Sequence, residues 1–193
     1  MPKKIVKKKW AVINRIAKKK WIEKLRIHLC IACVGGSTLR SQSTKGQVDR
    51  CRDYLKESFE LKNISNLSRK GFLELIDSKT IELSEQLPNP KTLTPNWGAA
   101  RKVINIYLRL CAMNKDINDF YNLSNIEEYL EVPLDSQIVK RIKANSPSGL
   151  PSGEFKIIHL VKNDSDKFQR AAKAIARKER VHRYELDVLY WNT

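Results

Sequence analysis

"LPNPKTLTPNWGAARKVINIYLRLCAM", Leu87 to Met113, is the stretch on which the fold turns. Its first part carries Pro88, Pro90 and Pro95. Proline fixes φ and removes a backbone donor, so this part reads as a turn region feeding a helix. From about Ala99 to Met113 the pattern becomes helical, with Val103, Ile106, Tyr107, Leu110 and Cys111 on the inward side.

The same period continues outward from this stretch. Trp10, Ile13, Ala17, Trp21 and Leu25 fall at three- and four-residue steps and predict one face of a long basic helix over 4–29, broken at Gly35–Gly36. Val48, Cys51, Leu55 and Phe59 predict a second helix, and "SRKGFLELIDS" a short one capped by Ser68. "NIEEYLEVP" predicts another short helix that Pro133 ends. "NSPSGLPSG" reads as a surface loop, followed by a basic helix through Ala171–Lys178 and a last helix in "RYELDVLYW". Strand signals are nearly absent apart from an ambiguous "FKIIHLV", so the fold class is all-α.

Charge narrows the function. Lys plus Arg number 37 against 21 Asp plus Glu, a formal net charge of +16, with 41% hydrophobic and 30% charged residues. That is a globular composition, with no apolar run of membrane-spanning length and no secretory signal at the basic N-terminus. The expected setting is therefore intracellular: cytoplasmic and nucleoid-associated, with no membrane partner. The cations cluster, from Lys3 to Arg26 against the single acid Glu23, and again at Lys167, Arg170, Lys173, Arg177, Lys178, Arg180 and Arg183. Clusters of this kind bind polyanions and release counterions, which points to nucleic acid.

Cys30 and Cys33 form a C-x2-C within the apolar "HLCIACV", but Cys51 and Cys111 stand alone and complete no second pair. His28, His159 and His182 are scattered. The expectation is buried core thiols, no disulfide, no metal and no cofactor.

"EVPLDSQIVKRI", Glu131 to Ile142, places Asp135 before an apolar-periodic run, an ordinary helix start in which the side chain accepts first-turn N–H groups. Three stretches in order give it a further reading. "RSQSTKGQVDRC" (40–51), "TPNWGAARKVINIYL" (94–108) and "VPLDSQIVKRI" (132–142) resemble the endonuclease III-like DNA glycosylases of the helix–hairpin–helix superfamily. There they correspond to the segment at the cleft mouth, the hairpin, and the stretch bearing the essential Asp. The resemblance covers roughly Leu39 to Ile142. The cysteine run that holds an iron–sulfur cluster in many members is missing after Asp135, and "KDINDFYNLSNIEEYLE" lengthens the segment before it.

The resemblance implies a two-lobed fold with the active site in the interlobe cleft. One lobe would join 1–36 with 145–193, with Tyr184, Tyr190 and Trp191 packed on Trp10 and Trp21; the other would span 37–144. It implies a monomer on double-stranded DNA, with no protein partner. Asp135 would stabilise the cationic sugar that forms as a flipped base leaves. Gln42, with Ser41 and Thr44 beside it, would fill the gap in the duplex. Asn96, Trp97, Gly98 and Ala99 would offer hairpin N–H groups to a phosphate, and Arg101, Lys102, Arg109, Ser136, Lys140 and Arg141 would add DNA contacts.

Two registers are open for the lysine of lyase-active members. Matching "ARKVIN" makes Lys102 that amine. Matching "TPNWG" puts Ala100 there and leaves Lys102 exposed or on phosphate. Turn glycines are the tighter constraint, so the second register is preferred and implies a monofunctional enzyme. The rival readings are a non-catalytic nucleic-acid-binding module that uses the hairpin, and a metal-dependent nuclease.

Overall fold

The computed structural model describes residues 2–35, 38–39, 45–146 and 148–190, with side chains from residue 14 onward. The regular structure among the described residues is all helical: α1 (Pro2–Cys33), α2 (Gln47–Glu57), α3 (Arg69–Glu85), α4 (Trp97–Met113), α5 (Lys115–Tyr121), α6 (Ser136–Asn145), α7 (Lys162–Glu179) and α8 (Leu186–Leu189). Short 3-10 turns cover Ile64–Asn66, Leu123–Tyr129, Ile157–His159 and Arg183–Glu185. The "FKIIHLV" stretch thus holds a 3-10 turn, and no strand is present among the described residues.

Helix α4 is the axis. Ala99, Ala100, Val103, Ile104, Tyr107, Leu108 and Cys111 are all buried, which wraps burial nearly round the cylinder. A helix apolar on most sides belongs in a core, and α4 packs on α1, α3 and α5. Helix α3 runs longer than its sequence signal. Ser68 caps it, its hydroxyl accepting from the Gly71 amide at 3.2 Å, and Phe72, Ile76, Thr80 and Leu83 line its inner face. The 86–96 connection closes on itself through Asn89 N–H to Thr94 O (2.8 Å) and Asn96 N–H to Leu87 O (3.1 Å), and so delivers the chain directly into α4.

Two hydrophobic clusters divide the chain near residue 131. The first joins buried residues of α1 to α5 and the Leu123–Tyr129 turn, together with Tyr184. The second joins Val132, Leu134, α6, Leu160, α7 and Leu186. This differs from the expected lobes, because α1 sides with the central helices: it packs on α2, α4 and α5. Its inner face is also not the expected stripe. Ile22, Arg26, Cys30 and Cys33 point inward, whereas Ala17 and Trp21 are exposed and Leu25 is half-buried. Arg26 explains the choice. Its guanidinium donates to the carbonyls of Leu55 (3.1 Å) and Lys56 (2.8 Å), satisfying the C-terminal end of α2, and pairs with Glu23. Trp21 instead donates its indole N–H to Asp116 at 3.2 Å. Tyr184 stacks on His182, and Tyr190 packs against the second cluster, so neither takes the expected place against Trp21. Trp191 and the side chain of Trp10 lie outside the described residues.

The four cysteines are buried free thiols. No helix among the described residues is long and apolar enough to cross a membrane.

Candidate functional site

Asp135 stands at the end of an extended, buried segment. Leu130, Glu131, Val132 and Leu134 are all interior. With no neighbouring strand, the peptide groups of Val132 are satisfied by one side chain: Gln169 accepts from the Val132 N–H (3.2 Å) and donates to its carbonyl (2.8 Å). Glu131 is anchored from the other side by Arg101, and Arg183 donates to the carbonyls of Tyr129 (2.8 Å) and Leu130 (3.0 Å). This bracing fixes where Asp135 emerges.

Asp135 then caps α6, as its sequence context predicts. Its Oδ1 accepts from the amides of Gln137 (3.0 Å) and Ile138 (2.9 Å), with backbone in the extended region. The residue is half-buried, and among the described residues Oδ2 takes no hydrogen bond. One oxygen is thus occupied by the cap while the other is available.

Lys102 of α4 lies in the field of this carboxylate. Its ammonium donates to the Thr38 carbonyl at 3.4 Å, and the side chain is half-buried. Burial pushes its pKa down from the ordinary lysine value, against the opposing pull of Asp135 and Asp187. Ala100 of the competing register is fully buried in the core. Helical geometry turns Ala100 inward and leaves Lys102 half-buried, not exposed as the second register implies, within electrostatic reach of Asp135.

Sequence reasoning missed Asp187. This α8 carboxylate is 6% exposed and paired with Arg109. Its pKa is raised chiefly by burial, with Arg109 opposing and Asp135 adding to the rise. Arg109 thus has an interior carboxylate as partner where a phosphate was expected. No local motif marks Asp187, since "YELDVLY" reads only as an amphipathic turn. The site comprises one half-buried amine and one guanidinium from α4, the carboxylate that caps α6 and the α8 carboxylate paired with Arg109, with Asp135 and Lys102 within electrostatic reach of Asp187.

The expected hairpin contacts are corrected by burial. Asn96, Gly98, Ala99 and Arg101 are interior. The Ala99 amide is taken by the Asn96 side chain at 3.1 Å. A Cβ at Gly98 would stand 2.1 Å from the Ile157 carbonyl oxygen, so the 157–160 segment is seated on the start of α4. Arg101 is bound to Glu131, Asp77 and Thr80, with its guanidinium 5.4 Å from the half-buried Trp97 ring. Ser136 and Lys140 are exposed on α6, and Arg141 lies 6.0 Å from the Tyr190 ring. Ser41, Gln42 and Thr44 lie outside the described residues. Among the described residues, no three His, Cys, Asp or Glu side chains gather so as to hold a metal ion.

Comparison with family models, curated proteins and solved structures finds no match to this chain.

Proposed function

We propose that this chain is a DNA glycosylase of the helix–hairpin–helix kind, acting on a flipped damaged or modified base in repair or in defence against foreign modified DNA. The observation that carries the reading is the helix-capping Asp135, whose charge acts on the half-buried Lys102. A carboxylate held rigidly by a helix start, with one oxygen free, suits the positive charge that builds on the sugar as the N-glycosidic bond breaks. The departing base takes the bonding electrons and is protonated. The carbon it leaves, C1′, is attacked either by water, which loses a proton, or by the neutral amine of Lys102. Burial of Lys102 favours that neutral amine, so the pair supports amine attack more than the sequence did.

The rival of a non-catalytic module gains little from residues 96–99, since the Asn96 and Ala99 amides are taken by Leu87 and the Asn96 side chain. Exposed cations available to a backbone include Arg15, Lys18, Lys19, Lys20 and Lys24 on α1, Lys140 on α6, and Arg170, Arg177 and Lys178 on α7.

The test is base release from duplexes carrying damaged, mismatched or modified bases, with chelator present. Asp135→Asn keeps a good capping residue while removing the charge, so the fold should persist and release should fall about 100-fold or more. Breaks formed without alkali, and a covalent adduct trapped by borohydride, would identify Lys102 as the nucleophile. Alkali-dependent sites without an adduct would assign the attack to water. Equal release by wild type and Asp135→Asn would reduce Asp135 to a helix cap.

A further inference from the structure

We propose a second, separate site at the junction of α3, α7 and the Arg183–Glu185 turn, built to take phosphate groups. Lys173, Arg177, Arg180 and Arg183 line a cleft of about 340 Å³ there. Arg69, the first residue of α3, lies within electrostatic reach of Lys173.

What distinguishes this cleft from an ordinary solvated face is its deficit of counter-charge. Among the described residues Arg69, Lys173, Arg177 and Arg180 form no ion pair, although lysines elsewhere on the same helix do, Lys162 with Asp166 and Lys167 with Asp164. Arg183 directs its donors at the neutral carbonyls of Leu130, Gln169 and Tyr129, and the two acids that act on it, Glu131 and Asp166, are already paired with Arg101 and Lys162. The nearby acids are committed or outnumbered. Glu185 accepts from the His182 amide at 2.6 Å, Glu127 lies 3.3 Å from the His182 ring nitrogen, and Glu128 alone opposes Lys173. The Lys173 ammonium is disfavoured first by burial and then by Arg69, Arg177 and Arg183, which gives the cluster a standing electrostatic cost.

An oxyanion relieves that cost. Several guanidinium donors around a concave site match the multiple oxygens of a phosphate better than a single carboxylate, because each oxygen accepts separately. The same group comes from two sources, the phosphodiester backbone of DNA and a free polyphosphate. The backbone is favoured by position, which rests on the base-release reading. Arg183 holds the carbonyl of Leu130, and the chain from there to Asp135 spans at most about 18 Å when extended. A duplex with its target nucleotide at Asp135 would carry phosphates across that distance.

The experiment is fluorescence anisotropy of a labelled duplex over a range of salt, comparing the full chain with Lys173→Gln/Arg177→Gln. Both side chains reach the surface, so melting should be unchanged or slightly higher as like charges are removed. If both neutralise phosphates, the slope of log K against log salt becomes shallower by about 1.8. Isothermal titration with tripolyphosphate separates the sources: an unchanged DNA slope with tripolyphosphate affinity at least tenfold weaker in the variant assigns the cleft to free polyphosphate. Unchanged slope together with unchanged tripolyphosphate binding overturns the site. Base release is read separately, and its absence from the wild type would sink the glycosylase reading while leaving the slope comparison intact.

Discussion

Arg101 and Glu131 meet in the interior, Nε to Oε2 at 2.8 Å, with both side chains 3% exposed. Arg101 also donates to Asp77 (2.9 Å) and Thr80 (3.1 Å), and Glu131 accepts from Asn105 (3.2 Å). The pair ties α4 to the extended segment. Lys102 follows Arg101 directly, and Asp135 lies at that segment's end, so this structural contact sets the geometry of the candidate site.

Breaking a buried pair costs about 3–5 kcal/mol, and Asp77, which Arg101 shares with Lys162, offsets only part of the loss of Glu131. Glu131→Gln should therefore lower Tm by about 10 °C or more in a chain of this size, by calorimetry. Burial alone would raise the Glu131 pKa, but Arg101, Arg183 and the bonds from Arg101 and Asn105 outweigh it and hold it below the ordinary value of 4.5. A depressed carboxylate contributes stability above its unfolded pKa and loses it as pH falls through the folded one. Wild type should thus lose stability below about pH 4.5 by this route, and Glu131→Gln should show a flatter acid limb. Equal acid limbs in the two proteins would remove Glu131 from the account.

Gly98 carries a packing prediction. Its missing side chain lets the Ile157 carbonyl and Leu160 Cβ come within 2.1 and 2.9 Å of the place a Cβ would occupy. Two of those atoms are backbone or its immediate branch and cannot swing aside. Gly98→Ala should cost roughly 3 kcal/mol or more, as overpacking does at its upper end. Urea unfolding should show a lower midpoint with an unchanged slope. An unshifted midpoint would mean that the Ile157–His159 turn lifts freely from α4.

The parts of this structure that could be read in advance are those set by local chemistry. Ser68 and Asp135 cap helices because capping needs only the side chain and the next few amides. Helix α4 was legible because prolines mark its start and apolar residues repeat along it. Helix α5 was not, since Ile117 is its single buried residue and gives no period to follow. The inner face of α1 was misread because it contains an arginine. Arg26 goes inward only because the carbonyls at the end of α2 meet it, a tertiary fact absent from the helix's own sequence. Asp187 escaped for the same reason: its partner Arg109 and its neighbours Lys102 and Asp135 come from distant helices. The closure of α4's start by the 157–160 segment also depends on chain far removed from the hairpin.

Lys102 carries the sharpest pH prediction. Burial lowers its pKa, while Asp135 and then Asp187 hold it up. A lysine depressed in the fold disfavours its own charged form, so its contribution to stability improves only as pH rises from the folded value toward the unfolded 10.5. At neutral pH Lys102→Met should therefore raise Tm, and the gain should vanish above pH 10.5. Borohydride trapping by the wild type should increase with pH, with an inflection below the ordinary lysine value. Asp135→Asn removes the largest charge favouring the ammonium, so Lys102 should titrate at still lower pH in that variant. NMR of the protein carrying 13C-dimethylated lysines follows this directly. An identical Lys102 titration in wild type and Asp135→Asn would mean that the two groups do not share a field, and the paired site would lose its basis.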